Sequence, residues 1–139
     1  MAADGYQLAW LAAEAQAGSR AHLHALLRAL KQRHAIVQRQ VLELGSGLGA
    51  NLALFQPDNQ VQGVEALPAA AQHAARAGIP TRVADIGVPP LPWPDASWDW
   101  VLLLDVLEHL VDPAQALREV RRLLRPVLQG WSVLFPSMA

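Results

Sequence analysis

The stretch Val41-Leu42-Glu43-Leu44-Gly45-Ser46-Gly47-Leu48-Gly49-Ala50-Asn51 decides how the rest of the chain is read. Val41 to Leu44 has the character of a short buried strand that runs into Gly45. Three alternating glycines follow, and residues 49–55 then look helical, ending before Pro57. Glycine lets a backbone turn sharply and approach a ligand with no Cβ in the way. A helix N-terminus adds unpaired N–H donors. Three glycines in five residues lower helix stability for no structural gain, so a ligand site explains the loop better than a bare strand-to-helix turn.

The nature of the ligand is less determined. Gly45, Gly47 and Ala50 satisfy the dinucleotide pattern G-x-G-x-x-G/A. Glu65, twenty residues beyond Gly45, fits a ribose-binding carboxylate for either kind of nucleotide ligand. Glu43 tips the balance. A carboxylate two residues before the first glycine repels a pyrophosphate and attracts an ammonium group. S-adenosylmethionine carries an α-ammonium and a sulfonium and no phosphate, so Glu43 favours it over NAD. An NAD-type dehydrogenase stays as an alternative.

Outward from the glycine loop, strands and helices alternate. Val61–Glu65, Thr81–Ala84, Trp100–Leu104 and Trp131–Phe135 read as strands. Leu67–Ala77 reads as an alanine-rich helix closed by Gly78. Asp112-Pro113-Ala114-Gln115 opens a second with an N-cap, a first-turn proline and a capping box, and that helix stops before Pro126. Trp100–Leu104 is wholly apolar, as expected of a strand buried on both faces. Such a succession implies βαβ units, right-handed crossovers and a parallel sheet. Pro89–Pro94 reads as a loop.

Residues 7–37 read as two helices broken at Gly18-Ser19, with Leu23, Leu26, Leu27 and Leu30 sharing one face of the second. Arg20, Arg28, Lys31, Arg33 and Arg39 cluster there. A solvated helix face is the plainer explanation, and an acidic or phosphate-bearing partner is the other.

Composition bounds the function. The 139 residues suit one domain, with helices in 1–39 and a ligand-binding core in 40–139. A net charge of −1 speaks against a nucleic-acid surface built on bulk basicity. The absence of cysteine excludes disulfides, thiolate metal sites and a Cys nucleophile. No apolar run approaches the roughly 20 residues of a membrane span, and Asp4 and Glu14 interrupt the weak apolar start, so a cytoplasmic protein is expected.

Five motifs in order carry a family resemblance: Glu43–Gly49, Val61–Glu65, Ala84-Asp85-Ile86, Leu91–Val101 and Asp105-Val106-Leu107-Glu108-His109 through Pro113. Over residues 40 to 126 the chain resembles class I, Rossmann-like, S-adenosylmethionine-dependent methyltransferases of the small-molecule group with a D-x-L-E-H segment. The resemblance implies sheet order 3-2-1-4-5 with helices on both faces. It implies that Glu43 and Gly45 hold the methionine amino end, and that Gly47 and Gly49 allow close backbone approach. Glu65 would accept from the ribose hydroxyls, with Ala66 and Leu67 beside the adenosine. Asp85 and Ile86 would meet the adenine edge, and Leu104 and Asp105 would lie below the reacting methyl. Asp85 as a loop cap is the plainer alternative, and Asp99, which precedes a buried strand, reads as structural rather than ligand-binding.

Asp105, Glu108 and His109 have three readings. Glu108 and His109 can simply form a local helical turn. His109, with Asp105, can be catalytic, the imidazole serving as general base toward an acceptor hydroxyl. The three can converge on a divalent cation, although Asp105 is short for that role. His22, His24, His34 and His73 read as helix-surface residues. The chain ends at Ala139, directly after the fifth strand. The family's closing antiparallel strands would then be lacking, and the edge 131–135 would be open to self-association. A small-molecule methyl acceptor is the expected partner, with no nucleic acid and no membrane. A non-catalytic S-adenosylmethionine-binding fragment is the alternative from a different class.

Overall fold

The computed structural model describes residues 19–126 together with the strand residues 133 and 134. In chain order the elements are α1 (Ser19–Arg33), β1 (Gln40–Leu44), α2 (Ala50–Ala53), β2 (Gln60–Glu65), α3 (Pro68–Arg76), β3 (Thr81–Val83), β4 (Trp100–Leu103), α4 (Pro113–Leu123) and β5 (Val133–Leu134). Single 3₁₀ turns cover Gln56–Asp58 and Leu107–His109. The five strands pair in parallel in the order β3-β2-β1-β4-β5, as the motifs imply. The helix expected before Gly18 and the flanks of the fifth strand, including most of the 131–135 edge, lie outside the described residues.

Strand alternation builds two cores, one on each face of the sheet. Val41 and Leu102 join Leu23, Leu27, Leu52, Phe55 and Ile79 beneath α1 and α2. Leu42, Leu44, Val101 and Leu103 join Val120, Leu123 and Leu124 of the α4 side. β4 is therefore apolar throughout because both of its faces are covered. Each fully buried Leu or Val contributes about 1.5–3 kcal/mol relative to exposure. α1 shares its core with β1, so the N-terminal helix and the sheet are one packed unit.

α1 stops at Arg33 rather than running to residue 37. The Ile36 N–H bonds to the Lys31 carbonyl at 2.9 Å, while Ala35 adopts φ 48°. This is a helix stop of the Schellman type with alanine in the left-handed position usually given to glycine. Ile36 is buried in the same core, which offsets the cost of about 1–2 kcal/mol for that backbone. Leu26 is also corrected: it is 47% exposed, and the inner stripe of α1 includes Leu23 and Leu27 instead.

α2 is shorter than residues 49–55, because Pro57 falls in the following 3₁₀ turn. α4 begins as expected, with Asp112 Oδ1 accepting from the Gln115 N–H at 3.1 Å. Asp99 is structural. Its Oδ2 accepts from the Gln40 N–H at 2.8 Å and its Oδ1 from Arg125 Nη1 at 3.0 Å. The contacts tie β1, β4 and the segment after α4 together at the end of the sheet away from the glycine loop. Among the described residues no helix is long and apolar enough to cross a membrane.

Candidate functional site

Site residues gather where the parallel strands end, the edge at which open α/β sheets bind ligands. The Gly45 and Ser46 N–H groups both donate to the Val64 carbonyl, at 2.8 and 3.0 Å, which folds the loop over the end of β2. Gly45 has φ 73°, and a Cβ there would lie 2.7 Å from Val106 Cγ2. The first glycine thus seats the loop on the segment after β4. Gly49, at φ 86°, is packed in the same way on Ile79, at 3.0–3.2 Å. Its missing Cβ serves helix packing more directly than ligand approach. Gly63, unremarked in the sequence, is required as well, since a Cβ would lie 2.3 Å from Ser46 Oγ.

A cleft enclosing about 70 Å³ lies against this loop, lined by Arg20, Gly45, Ser46, Gly47, Leu48, Ala50, Asn51, Glu65 and Leu104. Ligand pockets typically measure about 300–1,000 Å³, so the enclosed part is a fraction of a nucleotide-sized site. Four of the expected cofactor residues therefore wall one cleft: Gly45, Gly47, Glu65 and Leu104. Glu65 Oε1 accepts from the Gly47 N–H at 3.1 Å, and Oε2 accepts from the Leu67 N–H at 2.7 Å.

Glu43 lies one hydrogen bond behind the cleft wall. It faces α1 and α2 because it alternates with Leu42 and Leu44, and it is 1% exposed. Asn51 Nδ2 donates to its Oε2 at 2.9 Å, while its Oε1 is buried with no partner. Burial pushes the Glu43 carboxyl up to about 8. The Asn51 hydrogen bond and the Arg20 charge oppose that rise, and the Glu65 charge adds to it. A buried carboxylate with an unsatisfied oxygen is costly alone and fits a cationic occupant.

Three residues here escaped the sequence reading: Arg20, His24 and Asn51. His24 is half-buried, not a surface histidine, and its Nε2 lies 3.1 Å from Asn51 Oδ1. The signal was available, because Arg20, Leu23, His24 and Leu27 are spaced i, i+3, i+4 and i+7. Lys31 also departs from a solvated face, pairing with Asp58 and donating to the Leu54 carbonyl at 3.2 Å.

The remaining expected residues lie outside the cleft wall. Ala66 is exposed and Leu67 half-buried at the start of α3. Asp85 caps its own loop, Oδ1 accepting from the Gly87 N–H at 2.8 Å, and Ile86 packs on the α4-side core. Asp105 takes φ 57°, left-handed backbone directly after β4. Strained backbone of this kind concentrates at functional sites. Glu108 and His109 form the local turn, with the His109 N–H on the Val106 carbonyl at 3.0 Å. The His109 side chain is 75% exposed, its Nε2 3.9 Å from Glu108 Oε1. Asp105, Glu108 and His109 do not converge, and no His, Cys, Asp or Glu cluster among the described residues could hold a metal ion.

Comparison with known proteins places this architecture. Residues 42–128 match the family model described as "Methyltransferase domain". An uncharacterized methyltransferase of Mycobacterium bovis is 39% identical over 90 residues, 63% of this chain and 36% of that protein. An uncharacterized transposon-borne protein of Streptomyces fradiae is 36% identical over 92 residues, 61% of this chain and 27% of that protein. The chain thus spans about a third of the length of these curated relatives. Among solved structures, a putative S-adenosylmethionine-dependent methyltransferase of Methanococcus maripaludis aligns with TM-score 0.69 at 20% identity, covering 81% of this chain and 53% of that one. The [4+2]-cyclase SpnF aligns with TM-score 0.66 at 23% identity, covering 74% and 41%. At these identities the likeness is one of fold. With five sequence motifs, the 3-2-1-4-5 sheet and the family match in agreement, the chain belongs to the class I S-adenosylmethionine-dependent methyltransferases.

Proposed function

We propose that the chain binds S-adenosylmethionine across the glycine-loop cleft and directs its methyl group to a small-molecule acceptor. The buried, unpartnered Glu43 Oε1 carries the proposal. The cofactor's amino-acid end is a zwitterion. Its ammonium suits Glu43, and its carboxylate suits the guanidinium of Arg20, which lines the cleft. Glu65 uses one lone-pair position on each oxygen for Gly47 and Leu67, which leaves one on each for the two ribose hydroxyls. Leu67, with Ala66 before it, would flank the adenine, Asp85 Oδ2 would accept from its amino group, and the Ile86 N–H would lie beside the ring. Gly49 holds the loop in shape from behind.

When bound, the cofactor supplies an electrophilic methyl on a sulfonium. The chain's own work is to hold that group in line with an acceptor and exclude water. Leu104, which lines the cleft, and Asp105, which follows it, would border this region. His109, whose side chain is 75% exposed, would serve as the base for an acceptor proton. A dinucleotide fits less well. Its pyrophosphate would face Glu43 and Glu65, and the Gly47 N–H is already engaged.

Binding and catalysis call for separate tests, because folds of this kind host more than one chemistry. Calorimetric titration with S-adenosylhomocysteine should give saturable binding, and titration with NADH should give none. Binding of NADH without S-adenosylhomocysteine would overturn the assignment. Mass-spectrometric screening of small hydroxylated and amine acceptors then distinguishes a working transferase from a chain that binds the cofactor alone.

A further inference from the structure

Behind the cleft, three side chains from three elements stand in single file. His24 on α1 reaches Asn51 on α2 at 3.1 Å, and Asn51 reaches Glu43 on β1 at 2.9 Å. The chemistry of the file is directional. A carboxylate has no proton to give, so Asn51 turns its NH₂ toward Glu43. Its Oδ1 then faces His24, and only a protonated Nε2 can donate to it. An ionised Glu43 is thus matched to one orientation of Asn51 and one tautomer of His24.

We propose that His24 is a positioning residue: in the charged arrangement it holds the Asn51 amide with its NH₂ on Glu43, and so supports Glu43 as the carboxylate that pairs with the ammonium group of the cofactor at Oε1. The inference rests on the cofactor assignment above and deepens it by naming how the amino-acid end is sensed.

Without a cation at Oε1, burial favours the protonated acid. A protonated Glu43 can donate to the amide oxygen only if Asn51 flips, and the flipped NH₂ then needs a lone pair on His24 Nε2. The file has two self-consistent arrangements. The ammonium selects the charged one, and the proton leaves Glu43 for bulk water. The charged groups around Glu43 are Arg20 from α1 and Glu65 from β2. Its register partners, Gly63 of β2 and Leu102 of β4, bring no charge, and Asp105 follows the end of β4. Arg20 acts in the same sense as His24, and Glu65 in the opposite one.

The test compares S-adenosylhomocysteine with 5′-methylthioadenosine, which has the adenosine and sulfur but no amino-acid end. Both are titrated calorimetrically into the whole chain between about pH 6 and about pH 8, in buffers of different protonation enthalpy. S-adenosylhomocysteine should release a proton on binding and bind more tightly as pH rises. 5′-Methylthioadenosine should do neither. His24→Leu should weaken the first ligand about tenfold and leave the second unchanged. His24→Gln, which restores an N–H donor, should recover most of the loss. Equal loss of both ligands in His24→Leu, or no loss at all, overturns the positioning role. Absence of proton release by the wild-type chain overturns it without any variant. Failure of the wild type to bind either ligand overturns the cofactor assignment as well, and binding of 5′-methylthioadenosine alone overturns only the amino-acid end.

Discussion

The backbone N–H of Gly47 donates to Glu65 Oε1 at 3.1 Å, so the glycine loop is fastened to the end of β2 by the carboxylate proposed to receive the ribose. One side chain shapes the site and meets the ligand. Glu65→Gln keeps one acceptor oxygen but turns an NH₂ against either the Gly47 or the Leu67 N–H. We expect a stability loss of about 1–3 kcal/mol in urea unfolding and at least about tenfold weaker binding of S-adenosylhomocysteine. Weaker binding with unchanged stability would mean that the loop does not depend on this anchor.

Glu43 should give the protein a pH-dependent stability. Burial raises its pKa to about 8 from the ordinary 4.5, so between those values the folded chain holds a proton that the unfolded chain has released. The group's contribution is therefore greatest below the unfolded value and is lost as pH rises through the folded one. The swing is on the order of a few kcal/mol. Urea midpoints at pH near 5 and near 8 should fall with rising pH in the wild type and change less in Glu43→Gln. The same variant should lose S-adenosylhomocysteine binding, since a neutral amide does not attract an ammonium.

Gly63→Ala should disturb the loop from beneath. The added methyl would meet Ser46 Oγ at 2.3 Å and Ser46 Cβ at 2.9 Å. Overpacking of this kind costs about 1–3 kcal/mol. Ser46→Gly in the same chain should relieve part of that cost, and a double-mutant cycle measures the coupling. Strict additivity would show that the two residues do not collide.

Glu119 offers a test far from the cleft. Buried on α4, it accepts from the Leu91 N–H at 3.0 Å and pairs with Arg122. Glu119→Ala leaves both donors short of an acceptor and should cost about 2–3 kcal/mol in chemical denaturation. Cofactor binding should hold under native conditions, because neither residue borders the glycine loop.

Much of the architecture could be read from residue order because its signals are local. Glycine spacing, the Asp112 cap and the two-sided apolarity of Val101–Leu103 each depend on near neighbours. The end of α1 was hidden because its left-handed residue is Ala35, where a glycine would have announced the turn. The site was legible where chemistry sits on strand ends, as at Glu43 and Glu65. It was illegible where it depends on helix-to-sheet docking. His24 reaches Asn51 across 27 residues, and the purpose of Gly63 appears only when Ser46 is seen lying over it. Asp85 shows the converse: its loop-capping bond is the plain alternative that its local sequence already allowed.

Arg122 holds the loop before β4 largely by its backbone. Nη1 donates to the Trp93 carbonyl at 2.8 Å and to Asp95 at 2.9 Å, and Nη2 donates to the Leu91 carbonyl at 3.1 Å. Glu119 grips the same loop by the Leu91 N–H. Main-chain groups look alike whatever side chain they carry, so these contacts recognise the course of the loop and are largely blind to its lettering. Exposed positions such as Pro92 and Pro94 can therefore be rewritten, in evolution or by design, while the support beneath them stays the same.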